Sequence, residues 1–325
     1  MLKRKATAYI KNWMDTKDKK CLVVQGARQT GKTYIIERFA EENFEELLEI
    51  NFKQMPSAMD IFAGDLTVDN MIMAMRFRFP ERKIVPGKTL IFLDEIQECQ
   101  EAITSLKFWA IDNRYDVVAS GSLLGIDYKR ASSYPVGYVD YLRMYGMDFE
   151  EFLWGMGVSE DMIENLCGYL HSKTVIPEAI HSQMMNYYRQ YVATGGMPEV
   201  VQTYAETKDF NRVREIQKNL LNYYQQDFSK HAEISLVPRL NLVWNSIPMQ
   251  LAKENKKYIY GQVRKGARAK DFELAIQWLL DCGLIHKVQR AGKAALPLKA
   301  YLDLDVFKMY LLDVGLLMAM IDINA

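Results

Sequence analysis

The sequence predicts an α/β fold: a three-layer domain around a parallel sheet, then a mostly helical region, then a small module of helices and a hairpin. Three observations predict it. Short, nearly all-apolar runs alternate with helix-like segments over residues 1–155, and such runs suit parallel strands covered on both faces. Strand signal almost disappears over residues 159–255. It returns as two short runs, 284–289 and 307–312, after one strong helix at 271–282. The 325 residues also predict about two domains, at roughly 150 residues each. The expected divisions are a core at 1–155, a helical lid or linker at 156–232 and a winged-helix-like module at 233–325.

Each element has its own signal. Residues 2–15 carry Tyr9, Ile10, Trp13 and Met14 on one side of a short amphipathic helix. Residues 21–25 form a compact apolar run, and 26–33 are bounded by glycines. A helix over 34–42 spaces Ile35, Ile36 and Phe39 for burial. Residues 47–52 read as a second strand, and 56–80, rich in Met and Phe, as a helix. Residues 89–93 form a third strand, 102–111 a helix, 115–119 a fourth strand and 137–147 a fifth. Asp148 is expected to cap a helix over 149–154. Helices then follow one another, broken by Gly195, Gly196, Met197 and Pro198 and by Pro238 and Pro248.

Composition narrows the function. Lys and Arg total 41, and Asp and Glu total 41, so the net charge is zero. That excludes a strongly basic, histone-like nucleic-acid binder but leaves room for a local basic patch. The four cysteines, Cys21, Cys99, Cys167 and Cys282, form no CxxC pair, so neither a zinc knuckle nor a disulfide framework is indicated. Isolated cysteines fit a reducing compartment. No run approaches the ~20 apolar residues of a membrane span, and the basic N-terminus lacks the apolar run of a signal peptide. The expectation is a cytoplasmic protein with no membrane partner.

Two motifs carry chemistry. Gly26, Ala27, Arg28, Gln29, Thr30, Gly31, Lys32 and Thr33 match G-x-x-x-x-G-K-[ST] at every fixed position. The run follows a strand and opens a helix, the context this phosphate loop requires. The glycines let the backbone curl so that successive N–H groups face inward on an anion, reinforced by the positive end of the helix. Lys32 supplies a charge for the β and γ phosphates of ATP, and Thr33 a hydroxyl for Mg²⁺. Asp94 and Glu95 end an apolar strand about sixty residues later. Asp94 is the expected second Mg²⁺ group, opposite Thr33. Glu95 is the expected general base that polarises the attacking water. A second apolar strand ends in Ser120 and Ser122, which are either candidate site hydroxyls or simply the residues that terminate the strand. Gln97 stands two residues beyond Glu95 as a relay candidate.

At this point the residues resemble a known family. GARQTGKT, IFLDEIQ, SLKFWA, ASGSLLG, PVGYVDYLRMY, DFEEFLW, GGMPEVV and FKMYLLDVGLL look like a large prokaryotic group of AAA+ superfamily ATPases. Those proteins pair an ATPase domain with a C-terminal region of unknown function. The resemblance runs over nearly the whole chain and implies a P-loop NTPase core of AAA+ type, a helical lid and a winged-helix segment. It also implies that a polar residue at the Ser120 and Ser122 position touches the γ phosphate or the lytic water. Two departures stand out. Family members commonly continue into a nuclease-like segment, whereas this sequence stops at Ala325 and shows no acidic-x-Lys constellation. The position after PVG, usually Lys or Arg, is Tyr138, with Arg130 and Arg143 as nearby cations.

The C-terminal part offers one further feature. Residues 253–270 hold Lys253, Lys256, Lys257, Arg264, Lys265, Arg268 and Lys270 against one acid, Glu254, with Tyr258 and Tyr260 between them. Such a segment suits a DNA backbone, or equally a solvated face that binds protein. The following helix is expected to bury Phe272, Ala275, Ile276, Leu279 and Leu280 and to turn out Asp271, Glu273, Gln277 and Asp281. Acids there argue against phosphate contact by that helix. His171, His181, His231 and His286 lack ligand spacing, and Arg189, on a helix over 183–192, reads first as part of a solvated helix face and second as a lid arginine. The sequence therefore predicts an ATPase that uses ATP and Mg²⁺ to drive a conformational switch, coupled to DNA or to a protein partner. Its alternative is a nucleotide-gated binding module with little hydrolysis.

Overall fold

The computed structural model describes residues 2–122 and 135–321, and of Ser122 the backbone alone. Arg130 and Ala325 therefore lie outside the described residues. The chain divides into two compact units, Arg4–Tyr145 and Gly146–Ala325 with Met1–Lys3.

In the first unit, helix α1 (Lys5–Met14) precedes strand β1 (Cys21–Gly26) and helix α2 (Lys32–Asn43). Strand β2 (Glu46–Asn51), helix α3 (Val68–Arg78) and strand β3 (Thr89–Asp94) follow. Helix α4 (Gln100–Asp112) and strands β4 (Asp116–Ser122) and β5 (Val139–Met144) complete it. The five strands pair in the order β2-β3-β4-β1-β5, and every pairing is parallel. Every residue of β1 and β3 is buried, as strands covered on both faces must be. Alternation sorts their side chains between two cores. Val23, Ile91, Leu93, Val117 and Ala119 pack with α3 and α4 on one face. Leu22, Val24, Leu90, Phe92 and Val118 pack with α1 and α2 on the other.

The expected helix over 56–80 is two elements. Pro56–Phe62 is a 3₁₀ turn, and α3 starts only at Val68, capped by Thr67. Between them Gly64 takes φ 86°, which ends the first turn. The apolar content of that stretch reported burial in part and not helix continuity: Ala58, Ile61, Phe62, Met71, Ile72 and Met75 enter one core, while Met73 and Phe77 are exposed.

The second unit begins with α5 (Phe149–Gly155), where Asp148 and Glu151 form a capping box. Helices α6 (Glu160–Ser172), α7 (Glu178–Thr194), α8 (Pro198–Thr207), α9 (Phe210–His231) and α10 (Val237–Leu251) follow. The chain breaks at Gly195–Met197 as expected. A break also falls just before Pro238, between the end of α9 at His231 and the start of α10 at Val237, whereas α10 runs on through Pro248. Pro238 sits in the first turn of α10, where the missing N–H has no intrahelical partner to lose. Pro248 lies inside α10 near its end, so only the last turn feels it. Short α11 (Tyr260–Val263) and α12 (Ala269–Asp281) lead to an antiparallel pair, β6 (Ile285–Ala291) and β7 (Leu302–Leu311), then α13 (Val314–Met320). Among the described residues no helix is long and apolar enough to cross a membrane.

One joint ties the two ends of the second unit together. Asp313 caps α13 by accepting from Leu316 N at 2.9 Å and also accepts from Gly196 N at 2.6 Å. Its carboxyl is fully buried, and burial pushes its pKa up while the backbone donors Gly196, Leu316 and Gly315 pull it down. A methyl on Gly195 would lie 2.1 Å from Asp313 Oδ1, and one on Gly315 would lie 2.3 Å from the Thr194 carbonyl oxygen. The GGMPEVV and LLDVGLL strings are thus the two halves of one contact, made of backbones too close for a Cβ. Gly315→Ala is therefore expected to destabilise the protein by roughly 1–3 kcal/mol or more in urea unfolding. Gly168→Ala, with nothing near the added carbon in mid-α6, should instead be neutral or stabilise by up to about 1 kcal/mol.

Candidate functional site

Strand register assembles the site. Asn51 of β2 pairs with Asp94 of β3, and Leu93 with Ala119, so the ends of β2, β3 and β4 bring Asn51, Asp94 and Ser120 into one row. Val24 of β1 is opposite Ser120, so the loop leaving β1 starts beside that row.

That loop turns through two left-handed residues, Gln29 at φ 65° and Gly31 at φ 86°, and Gly31 is the N-cap of α2. Gly31 thus serves the backbone curl expected of it. Gly26 answers to a different demand. An added Cβ there would lie 2.4 Å from the Met144 carbonyl oxygen of β5, so β5 leaves room for hydrogen alone. Thr30 is buried and braces the loop by donating to the Ala27 carbonyl at 2.9 Å. Arg4 holds the loop from outside. Its guanidinium donates to the Thr30 carbonyl at 2.9 Å and to the Tyr145 carbonyl at 2.8 Å. Nothing in the sequence marks Arg4 for this, because the contact spans 26 residues to the loop and 141 to β5's exit.

Lys32 is buried, and its ammonium donates to the carbonyls of Gly26 at 3.1 Å and Ala27 at 2.9 Å. Burial lowers its pKa to about 8, against the charges of Glu95 and Asp94, which raise it; Arg28 lowers it further. A half-desolvated cation beside the N-terminus of a twelve-residue helix is a place where an anion is favoured.

Asp94 is the hub. Its carboxylate accepts from Asn51 Nδ2 at 2.8 Å, from the Ser120 hydroxyl, and from Thr33 Oγ1 at 3.3 and 3.4 Å. Burial raises its pKa most, opposed first by the Ser120 hydrogen bond. Thr33 and Asp94 together present hard oxygen donors on adjoining elements. That pairing fits Mg²⁺, which favours one or two protein oxygens plus water and phosphate. Among the described residues no group of three or more His, Cys, Asp or Glu is placed to hold a metal ion.

Glu95 follows at φ 53°, a left-handed conformation rare for a non-glycine residue. It is half-buried, and Gln97 Nε2 donates to its Oε2. Ser120 is buried and turned to Asp94, while the Ser122 side chain lies outside the described residues. Tyr138 lies under the Lys107 ammonium, 5.5 Å from the ring centre, and Arg143 stacks on Tyr145 at the same distance. Arg189 is on α7 in the second unit.

A second acidic group adjoins the hub. Glu37, one turn beyond Thr33 on α2, hydrogen-bonds Glu49 of β2, and Asp94 acts on both. Burial, then the charges of Glu37 and Asp94, push Glu49 up to about 7. Sequence reading passed over this pair and over Asn51, because neither belongs to a motif. The β2–β3 register reveals Asn51, and the approach of α2 to β2 reveals Glu37 and Glu49.

The comparisons with known proteins bear on the family and the fold. Residues 18–153 match the family model of an AAA domain, and residues 185–325 match a domain of unknown function (DUF8612). Among solved structures the chain is similar to the Walker-type ATPase PABY2304 of Pyrococcus abyssi. Identity there is 12%, 98% of this chain and 96% of that chain are covered, and the TM-score is 0.55. It also matches AMPPCP-bound DnaA from Aquifex aeolicus at 12% identity, covering 86% and 88%, with TM-score 0.39. The Thermotoga maritima RuvB Holliday junction branch migration motor matches at 13% identity, covering 88% and 89%, with TM-score 0.37. The first likeness speaks for the fold alone, and nothing further is drawn from the other two. No curated protein matches the sequence.

The acidic pair makes stability depend on pH. A carboxyl raised from 4.5 to about 7 favours the folded state while protonated. That contribution is complete below pH 4.5 and is lost as pH rises through 7. Glu49→Gln is therefore expected to be more stable than wild type at pH 8, by on the order of 1–2 kcal/mol after solvent screening. The difference should shrink towards pH 5, which urea unfolding at the two values measures.

Proposed function

Taking residues 18–153 as an AAA domain joined to a C-terminal domain of unknown function, we propose that this chain is a Mg²⁺-dependent ATPase whose turnover drives a conformational switch. The observation that carries the reading is the buried Lys32 ammonium, bonded among the described residues to the carbonyls of its own loop at the head of α2. Such a cation gains most from a polyphosphate.

Each residue then has a task. The loop from Gly26 to Thr33 offers backbone N–H groups to the phosphates of ATP, and Lys32 exchanges its carbonyl partners for phosphate oxygens. Asp94 and Thr33 would hold Mg²⁺, which would neutralise phosphate charge. Asn51 and Ser120 fix the Asp94 carboxylate by hydrogen bonds, so its oxygens stay aimed at Thr33. Glu95 takes the proton of the attacking water as general base. In this reading Ser120 acts through Asp94, and Ser122 remains the second hydroxyl candidate.

The second unit supports a lid and a winged-helix-like module, from the helices α6 to α9 and from α10 to β7. The exposed cations Lys253, Lys256, Arg264, Lys265, Arg268 and Lys270 suit a DNA backbone. Tyr258 does not supply a stacking platform. It is buried and lies parallel to Phe307, with ring centres 5.5 Å apart, and Tyr260 packs edge-on to both. DNA contact would then be electrostatic and steeply salt-dependent. On α12, Phe272, Ala275, Ile276 and Leu279 are buried while Glu273 and Gln277 are exposed, and Gln277 is bonded to Asp281. This leaves the helix poorly suited to reading bases.

Steady-state phosphate release with Mg-ATP tests the reading, for wild type and Lys32→Ala, each with and without duplex DNA. We expect Lys32→Ala to lose at least about a hundredfold in kcat/KM, on the order of 3 kcal/mol of transition-state stabilisation. DNA should raise the wild-type rate in low salt. Turnover unaffected by DNA points to a protein partner for residues 253–270, and ATP binding without turnover supports the nucleotide-gated module instead.

A further inference from the structure

The amide of Gln97 has two ends with different surroundings. Nε2 donates to Oε2 of Glu95. Oε1 is buried and has no hydrogen-bond partner among the described residues. It faces Gly121, the residue after Ser120 on β4, where an added Cβ would lie 2.8 Å from Oε1 and 3.6 Å from the Ile96 side chain.

This orientation is fixed by chemistry. Turning the amide over would set its carbonyl oxygen against a carboxylate oxygen, an acceptor against an acceptor. Nε2 must therefore face Glu95, and Oε1 must face Gly121. The arrangement has a cost, since a buried acceptor without a donor loses its hydration and gains no bond in return. Glu95 adds a second cost through its left-handed backbone at φ 53°. Packing alone explains neither. A leucine at 97 would fill similar space with no unsatisfied atom.

We propose that Gln97 is a positioning residue for the hydrolytic step: its amide fixes the direction of the Glu95 carboxylate, and residue 121 is glycine to leave room for that amide. This inference rests on the reading of Glu95 as general base. Gln97 acts through Glu95 and does not touch the nucleotide. Its contribution is orientation, where a displacement of about 1 Å costs up to a hundredfold in rate.

Gly121→Ala is the sharpest probe. The backbone there is not left-handed, and the closest atom met by the new methyl is the far end of a flexible side chain. The substitution should displace the amide and keep the fold. Phosphate release with Mg-ATP would be measured for wild type, Gly121→Ala, Gln97→Leu, the double variant, and Glu95→Gln with and without Gln97→Leu. Each single change at 97 or 121 should lower kcat about tenfold or more, with KM for ATP within about twofold. The double variant should be no slower than Gln97→Leu alone, because both changes act on one amide. Gln97→Leu should have no further effect in the Glu95→Gln background. Unchanged kcat in Gln97→Leu or Gly121→Ala, or multiplicative losses in the double variant, overturns the proposal. Should one variant fail to fold, the other still decides. A wild type without Lys32-dependent turnover removes the ATPase reading itself, whereas an active wild type with an indifferent Gln97→Leu removes this inference alone.

Discussion

The buried carboxylate of Asp94 is the constraint on which the first unit is organised. A charge at the end of an all-buried strand is costly unless it is bonded, and three side chains from three elements bond it: Thr33 of α2, Asn51 of β2 and Ser120 of β4. The bonds from Asn51 and Ser120 are each possible only in one register of their strands, because a slip by one residue would turn the partner to the opposite face. The polar hub thus fixes how β2, β3 and β4 align, while the two apolar cores supply the burial that drives them together. The phosphate loop inherits its position from the same alignment, since β1 pairs with β4 beside Ser120.

Much of this was legible before any coordinates. The phosphate loop and the acidic pair are local patterns, in which spacing along the chain is also spacing in the fold. The all-apolar runs at 21–25 and 89–93 announced buried parallel strands. Asp148 announced its own helix cap, which Glu151 completes as a capping box. What escaped was non-local. Asn51, Glu49 and Arg4 become functional neighbours only through pairing or through contacts across many residues, and none carries a motif. The reason for Gly26 was half right: a glycine is needed, but the carbonyl of Met144 and not the curl of the loop demands it. Pro248 misled because a proline near the end of a helix removes little, and Gly64 was missed because apolar residues stand on both sides of it, at Ile61 and Phe62 and at Leu66 and Val68.

The second unit shows the same division. Its family-like strings GGMPEVV and LLDVGLL stand more than a hundred residues apart, yet they meet at Asp313, Gly196 and Gly315. Their role there is structural: a buried carboxyl that caps α13 and holds a glycine turn. The tyrosines among the cations of residues 253–270 likewise serve packing, since Tyr258 completes an aromatic cluster with Tyr260 and Phe307. What remains for a partner in that segment is charge, and charge alone gives binding with little sequence preference.

The central claim is that Lys32 and Asp94 serve binding while Glu95 serves chemistry. Glu95→Gln separates the two, because the amide keeps the size of the side chain but takes no proton. The decisive measurement is a single-turnover experiment in which Mg-ATP is mixed with excess protein and bound nucleotide is analysed over time. Wild type should convert bound ATP to ADP, whereas Glu95→Gln should hold intact ATP with an unchanged Kd. Conversion by Glu95→Gln at the wild-type rate would contradict the account.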